Sequence, residues 1–93
     1  MSLQLQWTSQ FKKDYKLAMK RGKNIAALDE TIRMLADQIP LPQKYGDHAL
    51  TGNFKGFREC HVEPDWLLVY AVQNNVLTLT LSRTGTHSDL FGK

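Results

Sequence analysis

GFRECHVEPDWLLVYAVQNNVLTLTLS, residues 56–82, decides how this chain folds. Residues 56–62 can be extended, residues 67–72 are a run of apolar and aromatic side chains, and residues 76–82 alternate leucine with threonine. Such stretches read as strands, with alternation marking one face on a core. Glu63, Pro64 and Asp65 join the first pair. Asn74 and Asn75, which tolerate the positive φ angles of tight hairpins, join the second. The expectation is an antiparallel meander of three strands.

Working outward, Leu3, Leu5 and Trp7 alternate with Gln4 and Gln6, the pattern of another half-buried strand. Thr8 or Ser9 can then cap a helix in which Phe11, Tyr15, Ala18 and Met19 share one face, with Gly22 just past its end. Asn24 caps a second helix, with Ile25, Leu28, Ile32, Leu35 and Ile39 as its apolar stripe and Asp29, Glu30, Arg33 and Asp37 on its polar side. Pro40 and Pro42 stop it. The link between the helices is short, so they form an antiparallel hairpin that needs a sheet to cover its apolar face. The predicted architecture is α+β, in the order β-α-α-β-β-β, with the helical hairpin on one face of the sheet. Residues 40–54 form the longest irregular stretch, a place where function concentrates.

The 93 residues suffice for one domain, 1–93, with a hydrophobic fraction of 42% adequate for a single core. No apolar run approaches the roughly 20 residues of a membrane span, and MSLQLQWTSQ lacks the features of a signal peptide, so a soluble cytoplasmic protein is expected. The single cysteine, Cys60, excludes an internal disulfide and a thiolate zinc site, and reads as a small buried filler. No cofactor is implied. Net charge is +3, and Lys12, Lys13, Lys16, Lys20, Arg21 and Lys23 crowd a stretch whose only acid is Asp14. Such a stretch is either a polyanion-binding face or a solvated helix surface.

Chemistry must then come from side chains, and the three histidines fall in KYGDHALTG (His48), FRECHVEPDW (His61) and SRTGTHSDLFG (His87). Histidine accepts and donates protons near neutrality. With Asp65, the three make up the acid/base set that RNA cleavage requires. Asp47 is placed to bias His48, which is otherwise an exposed loop residue. The turn at Glu63 and Pro64 can bring Asp65 to His61 and fix its tautomer, or Asp65 can cap the turn itself. Gly85 would let the backbone turn sharply and aim His87 at the same sheet edge, and flanking Thr86 and Ser88 argue against a core position for that ring.

FKKDYKLAMKRGK, LPQKYGDHALTGNFKGFRECHVEPDWLLVY and RTGTHSDLFG together span almost the whole chain. On these blocks the sequence resembles bacterial ribonuclease toxins of the RelE/ParE superfamily, in the branch typified by YafQ. The resemblance implies the small RelE-like fold and an endoribonuclease that cuts mRNA on the translating ribosome by metal-independent acid/base chemistry. It also implies a cognate antitoxin protein, with which such a toxin binds promoter DNA. Carried over, it places catalysis on His48, His61, Asp65 and His87, with His87 the favoured general acid. Trp66, Arg83 and Phe91 support the site. Arg83 holds the scissile phosphate or forms a surface salt bridge. Trp66 and Phe91 stack on unpaired bases, unless Trp66 belongs to the core. The lysines and Arg21 of the first helix contact ribosomal RNA. Two alternatives stay open: a ParE-like toxin of the same fold acting on a protein target such as DNA gyrase, and a non-catalytic RNA-binding module.

Overall fold

The computed structural model describes residues 2–92. The elements run β1 (Gln4–Trp7), α1 (Ser9–Lys20), α2 (Ile25–Ala36), β2 (His48–Ala49), β3 (Arg58–Glu63), β4 (Trp66–Gln73), β5 (Thr78–Gly85) and α3 (His87–Phe91). The expected meander is present as β3, β4 and β5, inside a five-stranded sheet of order β1-β5-β4-β3-β2. β1 runs parallel to β5, pairing Gln4 with Thr78 through Trp7 with Leu81. The other neighbours are antiparallel. Two elements were not anticipated: the two-residue strand β2, lying within the stretch read as irregular, and the C-terminal helix α3.

The helices begin where the sequence places their caps. Thr8 Oγ1 accepts from Phe11 N–H at 3.0 Å, and its hydroxyl donates to Ser82 O at 2.9 Å, so the cap also ties α1 to β5. Asn24 Oδ1 accepts from Ala27 N–H at 3.1 Å. Gly22, at φ +73°, takes the left-handed position after α1. α2 ends earlier than its apolar stripe suggests. Gln38 adopts φ +59°, which turns Ile39 away from the helix axis, and Ile39 is exposed along with Met19 and Leu5. The β4–β5 connection also differs from a two-residue Asn-Asn turn. Asn74–Val76 form a 3₁₀ turn, and the positive φ falls on Leu77 at +49°.

Alternation along β4 splits its side chains between two faces. Trp66, Leu68 and Tyr70 meet Cys60, Leu79 and Leu81 from neighbouring strands and Phe11, Ala18, Leu28, Ile32 and Leu35 from the helices. Each fully buried leucine there contributes roughly 1.5–3 kcal/mol. Burial pushes the Cys60 thiol up to about 12, in keeping with an inert filler. Leu67 and Val69 point the other way and are buried as well.

One polar group crosses this core. Asp14, buried on α1, accepts from Arg83 Nε at 2.7 Å, Arg83 Nη2 at 3.3 Å, Thr84 N–H at 3.1 Å and Gln10 Nε2 at 3.2 Å. The one acid of the basic stretch is thus turned inward, leaving Lys12, Lys13, Lys16 and Lys20 exposed along α1. No helix among the described residues is long and apolar enough to cross a membrane.

Candidate active site

Because Cys60 faces the helices, His61 faces the opposite side of the sheet. His61 is in register with Leu67, and Leu67 with Gly85, so one row across three strands leads to His87 two residues further on. The His61 and His87 rings lie 5.9 Å apart, centroid to centroid, and tilted by 46°. β2 brings His48 to the same face, where it pairs with Glu59 of β3, two residues before His61. Gly46 closes the gap between the loop and β3. A Cβ there would stand 3.2 Å from His61 Cδ2, and the residue has φ +56°, so glycine serves both close approach and backbone conformation.

The three imidazoles share one feature: each Nδ1 is engaged by an oxygen. His48 Nδ1 lies 2.8 Å from Gly46 O, His61 Nδ1 3.2 Å from Pro64 O, and His87 Nδ1 3.1 Å from Asp65 Oδ1. Carbonyl and carboxylate oxygens only accept, so each ring donates from Nδ1. The neutral form then carries its lone pair on Nε2, the atom left for proton transfer. His48 Nε2 lies 3.5 Å from Glu59 Oε1, whose side chain is largely buried.

The structure corrects several expected contacts. Asp65 partners His87, not His61. The β3–β4 register shifts between His61 and Glu63, and the exposed Asp65 carboxylate lies across from α3. The His87 ring, followed by the His87 backbone N–H, holds that carboxyl below its ordinary range. Asp47 does not reach His48. It takes Tyr70 Oη–H and the Arg58 guanidinium, and burial together with Asp47 raises the Tyr70 hydroxyl. Of the two readings of Arg83, the salt bridge is present, with Asp14 taking its Nε and Nη2 donors. Trp66 is only 1% exposed, and packs in the core, out of reach of a stacking base. Gly85 carries no positive φ; its role is close approach, since a Cβ would stand 2.9 Å from Asp89 Cβ.

Phe91 sits half-buried at the end of α3, edge-on to Phe54 at 5.5 Å, so it anchors the helix as well as offering part of a ring. Of the six basic residues, Arg21 binds Asp89, and Lys23 lies near enough to Asp65 to lower that carboxyl further. Glu59 and Asp89 escaped the sequence reading. Strand alternation could have found Glu59, two residues from His61. The spacing Thr86-His87-Ser88-Asp89 is a capping-box pattern that marks both Asp89 and the start of α3. Among the described residues, no group of three or more His, Cys, Asp or Glu side chains is placed to hold a metal ion.

A sheet with helices on one face and an imidazole cluster on the other defines the class. Residues 3–92 match the model of a family described as the bacterial toxin of type II toxin-antitoxin systems, YafQ. The chain belongs to that YafQ family. The Escherichia coli K12 protein named mRNA interferase toxin YafQ is 44% identical over 89 residues, 95% of each chain. The crystal structure of YafQ from E. coli BL21(DE3) superposes with a TM-score of 0.90 at 42% identity, covering 97% of this chain and 99% of that one. YafQ in the E. coli DinJ-YafQ toxin-antitoxin complex superposes at 0.89 and 42% identity, covering 99% of this chain and 100% of that one.

Proposed function

We propose that this toxin is an mRNA interferase, an endoribonuclease that cuts messages on the translating ribosome, and that His48, His61, Asp65 and His87 carry the reaction. The observation behind this is the pair of facing rings, His61 and His87, each with Nδ1 engaged and Nε2 left for proton transfer. One imidazole takes the proton from a ribose 2′-hydroxyl. The 2′-oxygen attacks the adjacent phosphorus, the bond from phosphorus to the 5′-oxygen breaks, and a second imidazole gives that oxygen its proton. A 2′,3′-cyclic phosphate and a free 5′-hydroxyl result.

Asp65 distinguishes the two rings. Its carboxylate orients His87 through Nδ1, whereas a backbone carbonyl orients His61. His87 serves as the acid and His61 as the base, with His48 and Glu59 beside them. Exposed Lys12, Lys13, Lys16 and Lys20 give α1 a cationic face suited to ribosomal RNA. A cognate antitoxin, the counterpart of DinJ in the E. coli complex, holds the toxin inactive and joins it in binding promoter DNA. The setting is the cytoplasm, where ribosomes and messages are.

The test is in vitro translation of a defined message with wild-type toxin and His87→Ala, mapping RNA ends by primer extension with and without ribosomes. Cuts that need ribosomes and fall about 10²- to 10⁴-fold with His87→Ala are expected. A message left whole by wild-type toxin, in extracts whose growth-arrested source cells show the toxin active, would overturn the reading.

A further inference from the structure

The C-terminal end of α1 meets the segment carrying His87 through contacts that neither the proton transfers nor the cationic face of α1 uses. Arg21, the residue that ends α1, sets its guanidinium against Asp89, with Nη1 at 2.6 Å from Oδ2 and Nη2 at 3.4 Å from Oδ1. The same Oδ2 accepts the Thr86 N–H at 3.0 Å, and Asp89 N–H donates to Thr86 Oγ1 at 3.1 Å. Arg21, first among these groups, holds the Asp89 carboxyl down to about 2. The stem of Asp89 also lies over Gly85, where an added Cβ would stand 2.9 Å from Asp89 Cβ. Between Thr86 and Asp89 lie only His87 and Ser88. Whatever fixes this closed turn fixes the backbone from which the His87 ring projects.

We infer that Arg21 is a positioning residue for the cleavage reaction: by gripping Asp89 it locks the cap of α3 and sets where His87 stands relative to His61. This rests on the nuclease reading above. It also separates Arg21 from the lysines of the same helix. Arg21 directs Nη1 and Nη2 at the Asp89 carboxylate, so part of its donor set is held within the fold, whereas Lys12, Lys13, Lys16 and Lys20 lie exposed along α1. Arg21 thus acts through Asp89, and its loss is felt at the reacting atoms, where a shift of 1 Å costs about 10²-fold in rate.

The experiment uses ribosomes programmed with a defined message and measures two quantities separately: the single-turnover cleavage rate at saturating toxin, and the affinity of toxin for the ribosome. The variants are Arg21→Ala, Arg21→Lys and Asp89→Ala, with Lys16→Ala as a comparator for affinity and His87→Ala as a control for the chemistry. Arg21→Ala and Asp89→Ala are each expected to lower the single-turnover rate by about 10- to 100-fold with little change in affinity, and Arg21→Lys to recover part of the loss. Asp89→Ala decides most, because removing an acid cannot weaken attraction to a polyanion. Thermal melts identify any variant that fails to fold, for which Arg21→Gln or Asp89→Asn is substituted. The proposal is overturned if Arg21→Ala loses affinity as Lys16→Ala does while cleaving at the wild-type rate at saturation, or if Asp89→Ala cleaves normally. If His87→Ala itself cleaves normally, the nuclease reading fails and this proposal fails with it, a result distinguishable from the other two.

Discussion

On the helix side of β4, Trp66, Leu68 and Tyr70 are sealed beneath two amphipathic helices; on the far side of the neighbouring strand, His61 is held by a hydrogen bond from Nδ1 to a carbonyl and by the His87 ring beside it. The first arrangement draws its stability from area removed from water and tolerates no gaps. The second fixes direction rather than depth, with one oxygen at each Nδ1, and leaves Nε2 of His61 and His87 for the proposed proton transfers. On the proposed reading, stability and chemistry are divided between the two faces of one sheet, and substitutions on either side should show it.

The largest stability loss belongs to the helix-covered face. Leu68→Ala should cost roughly 2–5 kcal/mol in urea unfolding, since the cavity left behind adds to the lost burial. A loss well under 1 kcal/mol would show that the side chain is not part of a close-packed core. Asp14→Ala comes next, at roughly 1–3 kcal/mol, because it orphans the Thr84 N–H and the Arg83 guanidinium together. The pairing of Asp14→Leu with Arg83→Met should recover only the part due to the Arg83 guanidinium, because the Thr84 N–H still lacks its acceptor.

A smaller effect marks the boundary between the two faces. Asp89 is held to about 2, below the ordinary carboxylate value of about 3.9, so its contribution is present in full above roughly pH 4 and is lost as pH falls through about 2. Melting curves between those values should fall more steeply for the wild type than for Asp89→Asn. Parallel curves would mean that the contact with Arg21 adds nothing to stability. The smallest effect is expected of the histidines themselves: alanine at His48, His61 or His87 should change stability by no more than about 0.5 kcal/mol. Losses matching that of Leu68→Ala would end the division of labour between the faces.

Local signals in the chain located most of the scaffold. Thr8, Asn24 and Gly22 mark helix ends through contacts reaching three or four residues, and the alternation of leucine and threonine in β5 needs no distant partner to be recognised. Side-chain pairing was another matter. Closeness in sequence pairs Asp65 with His61 or with its own turn, but the irregular register before the turn delivers it to His87, 22 residues away. Arg83 and Asp14 are 69 residues apart, and nothing near either one announces the other. Trp66 begins a strand buried on both faces, so alternation gave no sign of which way the indole would point. The parallel docking of β1 on β5 was equally hidden, because a half-buried strand does not reveal which edge it will join.

That parallel pairing bears on how the protein is made. β5 lies between β1 and β4, so the sheet is completed only once residues 78–85 have been synthesised, after the other four strands. A product interrupted before Thr78 has no partner for β1, no strand to cover the edge of β4 and no His87. Premature termination thus yields fragments lacking both the assembled sheet and the residue proposed as the acid, and on that reading a cell that aborts translation of this message is left with nothing that can cut its own.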